Sequence, residues 1–409
     1  MRLSARAQRI EPFYVMEMAK SAAAIAREAA GSDKPMIYLN IGEPDFTAPP
    51  LVQEAAEKAI RDGRTQYTQA TGLPALRERI SDWYRQRFGL DVPARRIVVT
   101  AGASAALQLA CLALVDAGDE VLMPDPSYPC NRQFVSAAEG RAVLIPSTAA
   151  ERFQLSAGKV HDAWGAHTRG VLLASPSNPT GTSIHPDELR RIHDVVAERG
   201  GITLLDEIYL GLSYEDTYSH SALGLSDQII SINSFSKYFN MTGWRLGWLV
   251  VPDSIVEVVE QIAQHLFICP STISQYAALA CFEPDSLAEY ERRRQEFKAR
   301  RDWFVPQLNA LGLTVPVTPD GAFYAWADCS AGCDKLFGPH GAARSEYNSG
   351  MQTAGSWDFA FELMKRAHLA VTPGRDFGHA DTARYIRFST ANSMPQLQTA
   401  VGRLREVLA

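Results

Sequence analysis

An acid, an amine and a guanidinium follow one another along this chain, each at or just past the end of an apolar run. Asp206 closes Gly201-Ile-Thr-Leu-Leu-Asp206, Lys237 follows Ser231-Ile-Asn-Ser-Phe-Ser236, and Arg245 follows Thr242-Gly-Trp244. Such runs read as buried strands, and open α/β sheets place ligand chemistry beyond the carboxyl ends of their strands. Lys237 is one of eight lysines and the only one between Lys159 and Lys298, so it is not an interchangeable surface charge. A desolvated amine attacks carbonyls. The cofactor that needs an amine, a carboxylate and a phosphate-binding arginine together is pyridoxal 5'-phosphate.

Each group of that cofactor finds a candidate. Lys237 would condense with the aldehyde as a Schiff base and, once displaced by substrate, shuttle the α-proton. Asp206 would keep the pyridine nitrogen protonated by charge pairing. Arg245 offers phosphate a planar fork, Ser234 and Ser236 add hydroxyls, and the turn Gly102-Ala103-Ser104, where a strand gives way to a helix, adds free backbone amides backed by the helix dipole. Asn178, in Ser175-Pro-Ser-Asn-Pro-Thr-Gly181, and Tyr209 can donate to the ring oxygen, while Tyr128, in Asp125-Pro-Ser-Tyr128, can stack on the ring. Arg387, inside the apolar strand Tyr385-Ile-Arg-Phe-Ser389, would face a substrate carboxylate, and Gly42 would let backbone approach it. Structural alternatives stand beside these roles: a helix cap for Asp206, a turn signal for Asn178, core packing for Tyr128, a buried ion pair for Arg387 and a plain tight turn for Gly42.

The elements that must hold these residues read as alternating strands and helices. Strand patterns cover Met36–Ile41, Arg96–Thr100, Glu120–Met123, Ala142–Ile145, Gly170–Ala174, Ile202–Leu205, Ile229–Asn233 and Leu246–Val251. Helical patterns cover 15–30, ended by Gly31, then Ala103–Val115 and Pro186–Arg199. The alternation predicts an α/β fold with a mostly parallel sheet flanked by helices. A long charged helix, Ala288–Arg301, leads into a smaller α+β unit with strands at Val315–Val317, Ala322–Ala327 and Tyr385–Ser389 and a helix at Phe359–His368. The expected division is residues 1–45 as N-terminal arm and part of the small domain, 46–290 as the large cofactor domain, and 291–409 as the small domain. Ala331–Trp357 is polar and without pattern, an insertion or a lid. Neither a dinucleotide-binding glycine fingerprint nor a Walker loop is present.

Composition narrows the classes further. A net charge of −6 gives no reason to expect nucleic acid or an anionic membrane as partner. The N-terminal residues lack the apolar core of a signal peptide, and no run is long enough to span a membrane, so a cytoplasmic location is expected. Six scattered cysteines read as reduced core residues, and Cys329 with Cys333 lacks the second pair a zinc site needs, so no metal is expected.

Together these segments resemble the class I/II aminotransferases, fold-type I enzymes dependent on pyridoxal phosphate, over essentially the whole chain. Asn178-Pro-Thr-Gly181, Asp206-Glu-Ile-Tyr209, Ser234-Phe-Ser-Lys237, Gly243-Trp-Arg245 and Ile386-Arg-Phe388 each look like a family motif, in the family's order. The resemblance implies that Lys237, Asp206, Tyr209, Asn178 and Tyr128 contact the cofactor together with Ala103, Ser104, Ser234, Ser236 and Arg245, and that Arg387 and Gly42 hold the substrate carboxylate. Tyr67, in Gln66-Tyr-Thr-Gln69, is similar to the tyrosine that reaches the neighbouring subunit's phosphate, which implies a homodimer with shared active sites. The expected reaction is ping-pong transfer of an amino group from an L-amino acid to a 2-oxo acid. A β-eliminating carbon–sulfur lyase is the alternative within the cofactor class. A sensor domain of a transcription regulator is disfavoured by how little precedes Pro12. Segment 331–357 is longer than the family usually shows. An acidic substrate would call for a second arginine and an aromatic one for an apolar wall; 32 arginines leave that choice open.

Overall fold

A computed structural model of the chain describes residues 2–12, 14–28, 34–338 and 355–409. Its centre is a seven-stranded sheet built from β2 (Ile97–Thr100), β3 (Glu120–Asp125), β4 (Arg141–Pro146), β5 (Thr168–Ala174), β6 (Ile202–Asp206), β7 (Ile230–Ser234) and β8 (Gly247–Val250), in the order β2-β8-β7-β6-β5-β3-β4. Strands β3 to β7 pair in parallel, and β8 runs antiparallel to both its neighbours. The central strands β5 to β8 are buried along nearly their whole length, as a sheet covered on both faces requires. One face packs on the helix Ala103–Leu114 through Ala106, Leu109 and Ala110; elsewhere Leu189, Ile192 and Val196 of Pro186–Ala197 pack with Val171, Leu173 and Leu205.

A second core gathers both ends of the chain. Met18 and Ala22 of the helix Tyr14–Glu28 meet Phe304 and Leu308, then Phe359, Leu363, Leu397 and Leu404. Here β9 (Tyr324–Asp328), β11 (Thr372–Pro373) and β12 (Tyr385–Ser389) form an antiparallel sheet, and the short β1 (Ile37–Tyr38) pairs in parallel with β10 (Leu369–Ala370). The helix Pro284–Ala310 serves both cores, placing Phe297 in the large one and Phe304 in the small one.

The expected α/β architecture is the one observed, with five local differences. Val315–Val317 forms no strand: Pro316 has no N–H to give a ladder, Val315 N donates to Asn309 Oδ1 at 2.7 Å, and only an isolated bridge joins Thr314 to Asp328. Met36–Ile41 contracts to two paired residues, and the charged helix extends well beyond Ala288–Arg301 at both ends. The helix expected at Phe359–His368 begins at Ser356, widens into a π-helical turn at Leu363–Ala367, and stops where His368 takes φ 51°. The stretch read as patternless holds the helix Ser330–Phe337 and, from Ser356, the start of another; its middle, 339–354, and Gly31 lie outside the described residues.

Candidate active site

The carboxyl ends of β5, β6 and β7 open into a cavity of about 470 Å³ that reaches from the first turn of Ala103–Leu114 to Arg387 on β12. Asp206 ends β6 between Ala174 of β5 and Ile232 of β7, with its side chain buried. The adjacent Glu207 is satisfied elsewhere, accepting from Ser221 Oγ at 2.9 Å and Ala222 N at 2.8 Å, and from Ser231 Oγ. Only Asp206 of this acidic pair lines the cavity. Lys237 stands on the turn after β7, which Phe235 pins by packing on Phe239 and Trp248 with ring centroids 5.0 and 4.9 Å away. Its Nζ donates to the Gly42 carbonyl oxygen at 2.6 Å.

Burial acts on both ionisable groups in the direction that costs charge. It pushes Asp206 up to about 7, against the pull of the Ile208 N–H at 3.1 Å and the Lys237 charge. It pushes Lys237 down to about 8; the Glu43 carboxylate opposes this, while Arg387 and Arg245 reinforce it. An amine at about 8 is neutral in roughly a tenth of molecules at pH 7, far more than an ordinary lysine supplies. The cavity therefore holds a nucleophilic amine and an acid poised to pair with a cation.

One end of the cavity is built for an anion. Gly102, at φ 85°, starts the helix Ala103–Leu114, and Ala103, Ser104, Ser234, Ser236 and Arg245 line this end. Arg245 also adopts a left-handed backbone, φ 51°, and donates through Nη1 to the Thr242 carbonyl oxygen at 3.0 Å. A Cβ on residue 102 would lie 2.7 Å from Arg245 Nη2, so glycine there is what lets the guanidinium lie against the helix start. Backbone strain and a missing side chain together preserve a cradle of donors.

The opposite end carries a second cation without an acid. Arg387 is 3% exposed, and among the described residues no carboxylate forms an ion pair with it. It donates to Asn178 Oδ1 at 2.7 Å, the Asn40 carbonyl oxygen at 2.6 Å and Thr372 Oγ1 at 3.3 Å, leaving Nε without a partner, while its guanidinium lies 4.4 Å from the Tyr324 ring centre. The alternative, a buried ion pair, is not formed among the described residues; Asp376 feels the guanidinium charge without pairing with it, and a buried guanidinium so weakly compensated calls for an external anion. Asn178 thus touches Arg387 as well as the cavity. Tyr209 and Tyr324 join hydroxyls at 2.7 Å, and Tyr128 lines the adjoining wall.

All the residues singled out from sequence line this cavity except Tyr67, which is 84% exposed. Three features escaped the sequence reading. Tyr324 looked like one more apolar strand residue, yet it touches Tyr209 and Arg387. Glu43, beside Gly42, lines the site and receives a hydrogen bond from Thr242 Oγ1. Val15, Met16 and Ala19, from the helix Tyr14–Glu28, and Ile41 add apolar side chains to the cavity lining. The amphipathic spacing of that helix was a visible signal, but nothing local named the surface it faces.

A mostly parallel sheet with an amine, an acid and a cradle of donors at its carboxyl edge, and a buried guanidinium across the cleft, is the architecture of a fold-type I enzyme. The comparisons with known proteins narrow this. The family model for aminotransferase class I and II matches residues 34–404. A valine–pyruvate aminotransferase of Mycobacterium tuberculosis is 35% identical over 396 residues, covering 97% of this chain and 96% of that one. An aspartate aminotransferase of Rhizobium meliloti is 35% identical over 409 residues, covering 97% and 95%. The crystal structure of an aminotransferase from Mycobacterium tuberculosis superposes with a TM-score of 0.89 at 34% identity, covering 100% and 99%. The chain belongs to the class I and II aminotransferase family and is an aminotransferase; these relatives do not favour the carbon–sulfur lyase alternative.

Proposed function

We propose that the cavity binds pyridoxal 5'-phosphate and that the chain transfers the amino group of a neutral, apolar L-amino acid to a 2-oxo acid. The family depends on this cofactor, and the residues present fit it. The Gly102 cradle with Arg245, Ser234 and Ser236 would hold the phosphate, Asp206 the ring nitrogen, Tyr209 and Asn178 the ring oxygen, Tyr128 a ring face, and Lys237 the aldehyde carbon. When bound, the cofactor withdraws electrons from the substrate α-carbon, so that its proton becomes removable and its nitrogen transferable.

The chain's own groups do the rest. A protonated ring nitrogen beside Asp206 would restore the carboxylate that burial alone disfavours. Arg387 binds the substrate carboxylate by a planar fork, Tyr324 flanks that guanidinium, and Gly42 brings backbone close. Lys237 Nζ, neutral in part near pH 7, would take the proton from the substrate α-carbon and hold it as an ammonium. Val15, Met16, Ala19 and Ile41 exclude water and cover an apolar side chain. The observation that carries the reading is the convergence on one cavity of Lys237, Asp206 and an Arg387 that forms no ion pair among the described residues and leaves its Nε without a partner.

The relatives' printed activities point both ways, toward valine with pyruvate and toward aspartate; the apolar wall favours the first kind. Tyr67, solvent-facing and outside this cavity, supports a homodimer in which it serves the neighbouring site. We further read residues 46–290 as the cofactor domain and the remainder as arm and small domain, in a cytoplasmic protein; among the described residues no helix is long and apolar enough to cross a membrane. Incubation with pyridoxal 5'-phosphate followed by borohydride and peptide mapping should label Lys237. A donor panel with pyruvate and 2-oxoglutarate should rank leucine and valine above aspartate. Labelling elsewhere overturns the cofactor assignment, and a preference for aspartate overturns the donor class.

A further inference from the structure

The apolar wall is held from the far end of the sequence. Tyr14 N and Val15 N, at the start of the helix Tyr14–Glu28, donate to Asp376 Oδ1 at 3.1 Å and Oδ2 at 2.9 Å. Asp376 is fully buried, so this is a carboxyl cap shielded from water, closing a helix start with a side chain 362 residues away. The turn Gly374–Asp376 follows β11 directly, and Thr372 of β11 is both the register partner of Arg387 and an acceptor of its Nη2. Both Nη atoms of Arg132 donate to the Asp376 carbonyl oxygen at 3.2 Å, from a helix whose N-cap is Tyr128. The neighbouring Arg375 guanidinium lies 4.3 Å from the Tyr14 ring centre and 4.5 Å from that of Trp357. One turn therefore joins the strand pair behind the carboxylate site, the helix behind Tyr128 and the wall of the pocket.

We propose that Asp376 is a positioning residue for substrate side-chain selection: by fixing the first turn of the helix Tyr14–Glu28 to the Arg387 strand pair, it sets how closely Val15, Met16 and Ala19 approach the side chain of a bound amino acid. Asp376 does not line the cavity, so it acts through the wall and leaves the chemistry at Lys237 untouched. Met16 is 55% exposed in the chain alone, so its apolar surface gains cover when a substrate side chain lies against it, and that gain depends on the wall being in place. The inference rests on the cavity being the amino acid site.

The test compares leucine and alanine as donors to the cofactor-loaded full chain, with Asp376→Ala and the milder Asp376→Asn, which keeps one acceptor oxygen. The ratio of kcat/KM for leucine over alanine should fall about five- to tenfold in Asp376→Ala, the size of a lost helix cap. The change should lie in KM for leucine, with Asp376→Asn intermediate and alanine within about twofold of wild type. Amide exchange at residues 14–28 should quicken in the same order. In a Met16→Ala background the Asp376 effect on the ratio should shrink, because both substitutions act on one wall. An unchanged ratio, an equal fall for both donors, or a full-sized effect in the Met16→Ala background overturns the proposal. Should Asp376→Ala not fold, Asp376→Asn carries the same readouts. Wild-type protein that transfers nitrogen from neither donor overturns instead the site reading on which the proposal stands.

Discussion

Replacing Lys237 by methionine should make the cofactor-free protein more stable at neutral pH. Holding the amine at about 8, where an ordinary lysine titrates at 10.5, costs about 3 kcal/mol wherever the folded chain carries that charge. Methionine matches the length of the stem and removes the charge, but it forfeits the 2.6 Å bond to the Gly42 carbonyl oxygen, worth about 1 kcal/mol. The net expectation is about 2 kcal/mol in favour of Lys237→Met at pH 7. The folded pKa lies below the unfolded one, so the penalty is complete below about 8 and disappears as the pH rises from there to 10.5. Urea unfolding of both proteins from pH 7 to 10.5, freed of cofactor, measures the gap directly. A variant less stable than wild type at pH 7, or a gap that ignores pH, would refute the claim that this amine is held in a desolvated site.

Three further outcomes follow from the same geometry. Glu43→Gln removes the larger of the two anionic influences, Glu43 and Asp206, that oppose the depression of Lys237, so the pH midpoint for condensation of the amine with pyridoxal 5'-phosphate should fall below about 8; an upward move would contradict the assignment of charges. Arg387→Lys replaces a planar fork with a point charge and should lower kcat/KM for amino acids about a hundredfold while cofactor absorbance persists; unaltered kinetics would remove Arg387 from the substrate site. Gly42→Ala drives a Cβ into the Tyr324 hydroxyl, disturbing its bond to Tyr209, and should cost about 1–3 kcal/mol in stability together with a lower kcat/KM; wild-type values of both would show that this contact yields freely.

What the chain discloses before folding depends on how far apart the interacting residues lie. β12 could be read residue for residue at Tyr385–Ser389, because its apolar alternation is local and its one arginine is conspicuous against it. Asp206 and Lys237 were likewise legible, since each terminates a buried run and the strand end itself implies the cleft. Val315–Val317 misled because β-branched residues promise a strand while the proline between them withholds the hydrogen bond. The Tyr209–Tyr324 bond spans 115 residues and the Asp376 cap spans 362, and no periodicity reports a partner at that distance. The apolar wall was hidden for the same reason: the helix Tyr14–Glu28 is visibly amphipathic, but which of its flanks meets a core and which meets a ligand is settled by contacts made at the other terminus.

That long-range cap has a consequence for how the enzyme matures on the ribosome. The amine, its acid and the anion cradle all lie before residue 250, whereas Asp376 and Arg387 are made more than a hundred residues later. A nascent chain could thus capture the vitamin-derived aldehyde while its N-terminal helix still lacks an anchor. Amino acid discrimination would be acquired only once those later residues have been made and packed.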